Sequence, residues 1–215
     1  MLTFYFLQTS RAFRIAWLLE ELNVEYDLKS AERNPDLSVP TSLKVPTSLG
    51  KSPAIRDGNL VVGESGAITE YLVETYDTER RLMPLDLGKR VKVREYMWAA
   101  EGTFLMHGLA IWALRPACPE SVKEDGLDEI EAKLAVPVQR DFDWLENELA
   151  NSGGPFLLGN DVTAADTMLA FSCQFIIASN LGLGKKSWPH INKWLENVEK
   201  RDAYQRAIKR TGHHL

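Results

Sequence analysis

The residues best placed to do chemistry in this 215-residue chain lie in two neighbouring stretches, Leu49-Gly50-Lys51-Ser52-Pro53-Ala54-Ile55 and Gly63-Glu64-Ser65-Gly66-Ala67-Ile68. A proline between a glycine turn and a short apolar run cannot lie inside a central strand. Pro53 therefore belongs at a strand's first residue, where a cis bond is tolerated and the backbone of Ser52 is left free to pair with an extended ligand. Asp57-Gly58-Asn59 supplies turn chemistry and Leu60-Val61-Val62 a second strand. Helical periodicity begins just after Glu64-Ser65, at Ile68, Tyr71, Leu72 and Tyr76, which makes Ser65 a candidate helix cap. The unpaired amides and the dipole of that helix start favour a carboxylate, and Glu64 beside them suits an ammonium. A small zwitterionic peptide satisfies all of these features.

The elements that must position these groups are legible around them. Leu2 to Leu7 reads as a strand, Arg11 to Leu22 as a helix with Ile15, Leu18, Leu19 and Leu22 on one face, and Val24 to Leu28 as a second strand. That is a βαβ unit, which demands a parallel pair. Asn34 to Leu49 contains Pro35, Pro40 and Pro46 and leaves room for short helical turns at most. The hairpin and the helix after Ser65 complete a small α/β domain over residues 1–78.

Past Leu82-Met83-Pro84 strand signals cease, and a second, all-helical domain is expected over 88–215. Val93, Met97, Ala100, Phe104 and Gly108 recur at helical spacing, as do Leu127, Ile130, Leu134, Val138, Phe142, Leu145 and Leu149. Pro137 predicts a kink or a helix start within the latter run. Thr163-Ala164-Ala165-Asp166 has the spacing of a capping box, with Asp in place of Glu, ahead of a helix that is apolar nearly all round and so central to the domain. Trp188-Pro189 opens a further helix, and His213-His214 reads as a frayed tail.

Composition narrows the class. With 45% hydrophobic and 26% charged residues the chain can bury a full core. A net charge of −5 without a basic cluster leaves no footprint for nucleic acid. No apolar run approaches the ~18 residues of a membrane span, and the first residues lack the basic flank of a signal peptide. Two cysteines, Cys118 and Cys173, with no CxxC spacing, argue for a reducing cytoplasm and against a metal site.

Taken together, Ser10-Arg11-Ala12-Phe13-Arg14 with Trp17-Leu18-Leu19-Glu20-Glu21-Leu22, Gly50-Lys51-Ser52-Pro53, Glu64-Ser65-Gly66-Ala67-Ile68 with Tyr71-Leu72, and Val162 to Asp166 resemble the cytosolic glutathione transferases over about residues 2 to 210. The chain looks most like the bacterial and fungal serine-type branch with S-R-A-x-R and G-K-S-P motifs. The resemblance implies an α/β thioredoxin-like N-terminal domain, an all-α C-terminal domain, glutathione as co-substrate and a homodimer. It also implies that the Ser52 backbone pairs with the cysteinyl part of glutathione beside cis-Pro53, that Glu64 and Ser65 hold the γ-glutamyl end, and that Lys51 meets the glycyl carboxylate.

Catalysis in that family means ionising the glutathione sulfur beside room for an electrophile. The resemblance places the hydroxyl donor in the loop between the first strand and first helix, with Ser10 leading and Thr9 and Tyr5 as alternatives. Ala12 departs from the proline often found there, and the loop holds no cysteine. Arg11 adds positive potential to the loop or is solvated, and Arg14 is expected to pair inside its own domain. A run rich in large side chains, with Phe104, Met106, His107, Leu109, Ile111 and Trp112 as its candidates and Phe104, His107 and Trp112 foremost, is expected to form an electrophile site between the domains. The expected activity is conjugation of glutathione to small hydrophobic electrophiles, with peroxide reduction by the same thiolate. A non-catalytic glutathione-binding module and a glutathione-dependent disulfide reductase or lyase share every motif.

Overall fold

The computed structural model describes residues 1–36, 38–123 and 126–215. Alternation builds the first strand: in β1 (Leu2–Leu7) the side chains of Leu2, Phe4 and Phe6 are buried, while Thr3 and Tyr5 lie on the other face and are half-buried. After α1 (Ala12–Glu21) the chain returns in β2 (Tyr26–Ala31), parallel to β1 with Leu2 opposite Tyr26 and Leu7 opposite Ala31. The strand thus begins two residues later than the sequence suggests. The apolar Val24-Tyr26-Leu28 pattern marks it, but pairing with β1 sets its ends and carries it into the polar Lys29-Ser30.

The Ser52–Pro53 peptide bond is cis and leads directly into β3 (Ala54–Asp57), which runs antiparallel to β1, and β4 (Leu60–Gly63) closes the hairpin. The sheet order is β2-β1-β3-β4, and α2 (Ser65–Tyr76) follows. With α1, this is the thioredoxin-like half expected.

The second half is helical. It runs through α3 (Leu87–Ala99), a π-helical segment (Ala100–Leu105), α4 (Met106–Ala117), the short α5 (Glu120–Lys123), α6 (Leu127–Ala150), α7 (Ala164–Ala178), α8 (Pro189–Glu199) and α9 (Asp202–Thr211). Pro137 neither starts nor ends α6, which runs through it from Leu127.

α7 is the centre, as its composition requires. The fully buried Asp166 anchors its start: Oδ2 accepts from the Thr163 amide (2.8 Å), and Oδ1 accepts from the Leu157 amide (3.0 Å) and Trp194 Nε1 (2.9 Å). Burial raises the Asp166 carboxyl above its ordinary value, and these hydrogen bonds oppose the shift.

Among the described residues no helix is long and apolar enough to cross a membrane. Cys118 and Cys173 are both free and buried.

The segment after α9 departs from the frayed tail that its sequence suggests. Gly212 takes a left-handed conformation (φ 66°) and turns the chain back, so that His213 is buried and its ring stacks on Phe13 at 4.1 Å between centroids.

Candidate functional site

The loop from β1 to α1 carries Ser10 at the first turn of the helix. Its hydroxyl is buried, donates to the Leu7 carbonyl (2.7 Å) and accepts from the Ala12 amide (3.1 Å). These are the contacts of a helix-capping serine, and they fix Oγ at the positive end of α1. Thr9 beside it has a positive φ of 49°, and its carbonyl accepts from Arg33 Nη2 (3.3 Å). Tyr5 lies apart from this loop, along a depression shared with Lys29, Ser42 and Lys44. Strand alternation puts it on the face away from Phe4 and Phe6.

Ser52 ties the entry of β3 to β1: its hydroxyl accepts from the Leu7 amide (3.0 Å) and donates to the Tyr5 carbonyl (2.9 Å). Leu7 therefore touches both serines, its carbonyl taking the Ser10 proton and its amide donating to Ser52. Lys51 and Glu64 line one depression of about 410 Å³ with Thr47, Ser48 and Gly63.

Glu64, not Ser65, holds the capping position of α2, and it does so with φ at 66°. Such strain in a non-glycine residue costs about 1–3 kcal/mol and gathers at ligand clamps. Ser65 is instead the first helical residue. Its side chain turns inward, where Oγ accepts from Arg14 Nη1 (3.0 Å).

Arg14 pairs within its own domain, as expected, through Ser65, but it also reaches beyond that domain. Fully buried on α1, it donates to Ser65 of α2, to Glu101 in the π-helical segment and to Ser172 Oγ of α7 (2.7 Å). Ser172 in turn donates to the Ala100 carbonyl (3.0 Å), at the start of the π-helical segment. Burial lowers the Arg14 guanidinium to about 10, against the pull of Glu101, so it stays charged at neutral pH. Burial works to raise the Glu101 carboxyl, but Arg14 and Arg11 outweigh it and hold the group below its ordinary value. Arg11 also donates to Glu101 (2.6 Å), so this residue is ion-paired and not merely solvated.

Ser10 opens onto a cleft of about 670 Å³ between the two halves. Gln8, Thr9, Arg11 and Arg33 form part of one wall, and Leu105, Leu109, Trp112, Phe171 and Phe175 the other. The cleft is polar where the first half contributes and apolar where the helices do.

Of the aromatic and histidine candidates, Trp112 lines this cleft. Phe104 is fully buried instead, packed against Phe142 (5.7 Å) and Trp144 (6.2 Å). His107 turns to α6, where Nδ1 meets Asp141 Oδ2 at 2.6 Å. Burial raises the Asp141 carboxyl, with His107 opposing. The period of the sequence places all three on one helix but cannot say which of its faces meets the cleft.

Glu101, Arg33, Phe171 and Phe175 escaped the sequence reading as site residues. Each reaches the site from a distant segment, so no local pattern in the sequence marks it. Among the described residues no group of three or more His, Cys, Asp or Glu side chains could hold a metal ion.

Comparison with known proteins matches residues 1–74 to the family model "Glutathione S-transferase, N-terminal domain" and residues 105–202 to "Glutathione S-transferase, C-terminal domain". The chain is 26% identical over 219 residues to glutathione S-transferase 1 of Saccharomyces cerevisiae, covering 93% of this chain and 91% of that one. It is 36% identical over 158 residues to human glutathione S-transferase theta-2B, covering 71% of this chain and 61% of the relative. A solved glutathione S-transferase from Actinobacillus pleuropneumoniae superposes with a TM-score of 0.84 at 29% identity, covering 100% of this chain and 94% of that one.

Proposed function

The chain belongs to the glutathione S-transferase superfamily and is a glutathione transferase, and on that premise we propose that Ser10 holds the glutathione sulfur as a thiolate at the mouth of the cleft between the two halves. The observation that carries this reading is the joint made by Arg14. One buried side chain links the helix that follows Ser10 to the helix that opens at Ser65, and ties both to the π-helical segment and α7 of the second half through Glu101 and Ser172.

A peptide laid along that joint meets complementary groups in order. Ser65 presents its amide and hydroxyl to the γ-glutamyl carboxylate, with Glu64 beside the ammonium. Ser52 offers its backbone to the cysteinyl residue beside cis-Pro53, and Lys51 reaches the glycyl carboxylate. The hydrogen bond from Arg14 leaves the Ser65 proton free to be donated outward.

The chemistry asked of Ser10 is modest. A thiol near pKa 8.5 must fall by about two units to be mostly ionised at neutral pH, or roughly 2.7 kcal/mol of preference for the thiolate. A hydroxyl donor to a charged acceptor supplies about 1.5–3 kcal/mol, and the α1 dipole another ~0.3–1. The apolar wall of Leu105, Leu109, Trp112, Phe171 and Phe175 then suits a small hydrophobic electrophile, at whose electrophilic carbon the thiolate forms a C–S bond while a leaving group departs as its anion.

Two copies of the chain are proposed to pair through the α2–α3 face. Leu87, Val91 and Trp98 lie along one side of α3 with their side chains exposed, and the Trp98 ring sits over Gly66 of α2. Sedimentation at micromolar concentration should return twice the 24.3 kDa chain mass, and a 24.3 kDa species would rule the pairing out. The unpaired cysteines support a reducing, cytoplasmic setting.

Ser65→Ala tests the binding half of this reading. It should weaken glutathione by about 1–3 kcal/mol in calorimetric titration, because a charged ligand group loses its donor. An unchanged affinity would remove Ser65 from the pocket.

A further inference from the structure

The loop that carries Ser10 is gripped at both ends by a segment some two hundred residues away. At its start, Gln8 is 5% exposed and donates from Nε2 to the Thr211 carbonyl at 2.7 Å. A carbonyl accepts only from the amide nitrogen, so this contact fixes which way the Gln8 side chain faces.

At the other end, Phe13 donates its amide to the Ser10 carbonyl (3.2 Å) and presents its ring to His213, the two planes 11° apart. The His213 ring also meets Phe6 of β1 edge-on (6.3 Å) and Phe171 of the cleft wall (6.2 Å). The connection between the two grips is short and well defined. Gly212 turns the chain and donates to the Ile208 carbonyl (2.8 Å), and the His213 amide donates to Thr211 Oγ1 (3.2 Å).

We propose that Gln8, Thr211 and His213 form a brace that sets where the Ser10 hydroxyl points, making the segment after α9 a positioning element for thiol activation; this rests on the reading of Ser10 given above. Ser10 lies between two residues that the brace holds, and Gln8 itself lines the cleft. The His213 ring acts by its shape. Both of its nitrogens are buried with no hydrogen-bond partner among the described residues, and burial pushes the group down to about 4, so it is neutral at working pH. Misplacing a catalytic group by an ångström is enough to cost about a hundredfold in rate, so even a partial release of this loop is measurable.

The test reads the thiolate absorbance of bound glutathione against pH, with kcat, KM and thermal unfolding measured beside it. Gln8→Met and His213→Ala should each raise the apparent pKa of the bound thiol and lower kcat about tenfold, with KM for glutathione within about twofold. His213→Phe keeps the ring and should restore both. In a Ser10→Ala background Gln8→Met should add no further shift, because the brace acts through that hydroxyl.

Lower unfolding temperatures with unchanged thiol titration and kcat would reduce the brace to a fold contact and overturn the proposal. Ser10→Ala leaving the titration unshifted would remove Ser10 as activator, and the brace with it. A shift on Ser10→Ala but none on Gln8→Met or His213→Ala would overturn the brace alone. If His213→Ala does not fold, Gln8→Met alone and in the Ser10→Ala background decides between these outcomes.

Discussion

The Ser10 hydroxyl carries one hydrogen, which in this structure goes to the Leu7 carbonyl while its oxygen accepts from the Ala12 amide. Activating a thiol redirects only the first of these bonds. A thiolate is a charged acceptor, and such bonds are roughly twice as strong as neutral ones, so it outcompetes the Leu7 carbonyl while the cap on α1 stays in place. Ser10→Ala therefore removes two things at once. Loss of the cap should cost about 1 kcal/mol of stability. Loss of the donor should cut turnover roughly 10- to 100-fold, matching ~1.5–3 kcal/mol, with glutathione affinity little changed. Steady-state kinetics and thermal unfolding separate the two, and a stability loss with normal turnover would leave Ser10 as a cap only.

At the scale of elements, the site depends on how α1 meets the π-helical segment and α7, and the buried Arg14 makes that joint. Glu101→Gln should lower stability by about 1–3 kcal/mol in chemical denaturation, since it leaves a buried guanidinium without its counter-charge. Arg11→Ala, which removes the half-exposed partner of the same carboxylate, should cost no more than about 1 kcal/mol. Equal losses in the two variants would contradict this division.

The sequence made the joint only half visible. Periodicity and turn residues located β1, α1, the β3–β4 hairpin and α2, because each is a local pattern. The partners of Arg14 could not be read because Ser65, Glu101 and Ser172 are 51, 87 and 158 residues away. Placing Phe104 and His107 at the electrophile site failed to match the geometry for a related reason: which face of α4 and the π-helical segment meets the cleft is set by packing. His213 looked frayed because its burial depends on rings at Phe6, Phe13 and Phe171, none of them near it in sequence.

For the whole molecule, that burial has a pH signature. His213 is neutral when folded, with its value lowered from 6.5 to about 4, so between those limits the unfolded chain binds the proton more readily. Stability contributed by the neutral ring is complete above pH 6.5 and lost as pH falls to about 4, roughly 3 kcal/mol in all. Asp166, raised by burial, works in the opposite sense as it protonates, so the difference between variants isolates the histidine. His213→Phe should flatten the decline between pH 6.5 and 4 in denaturant titrations, and an unaltered slope would mean the ring is solvated.

The two halves are proposed to bind glutathione together and to ionise its sulfur at Ser10. The most direct measurement is the thiolate absorbance of bound glutathione as a function of pH, in the unmodified protein and in Ser10→Ala. If Ser10 ionises the sulfur, the apparent pKa lies about two units below the free-thiol value of 8.5 in the former and returns toward 8.5 in the latter. A bound thiol that titrates near 8.5 in the unmodified protein, or one equally lowered in both, would contradict it.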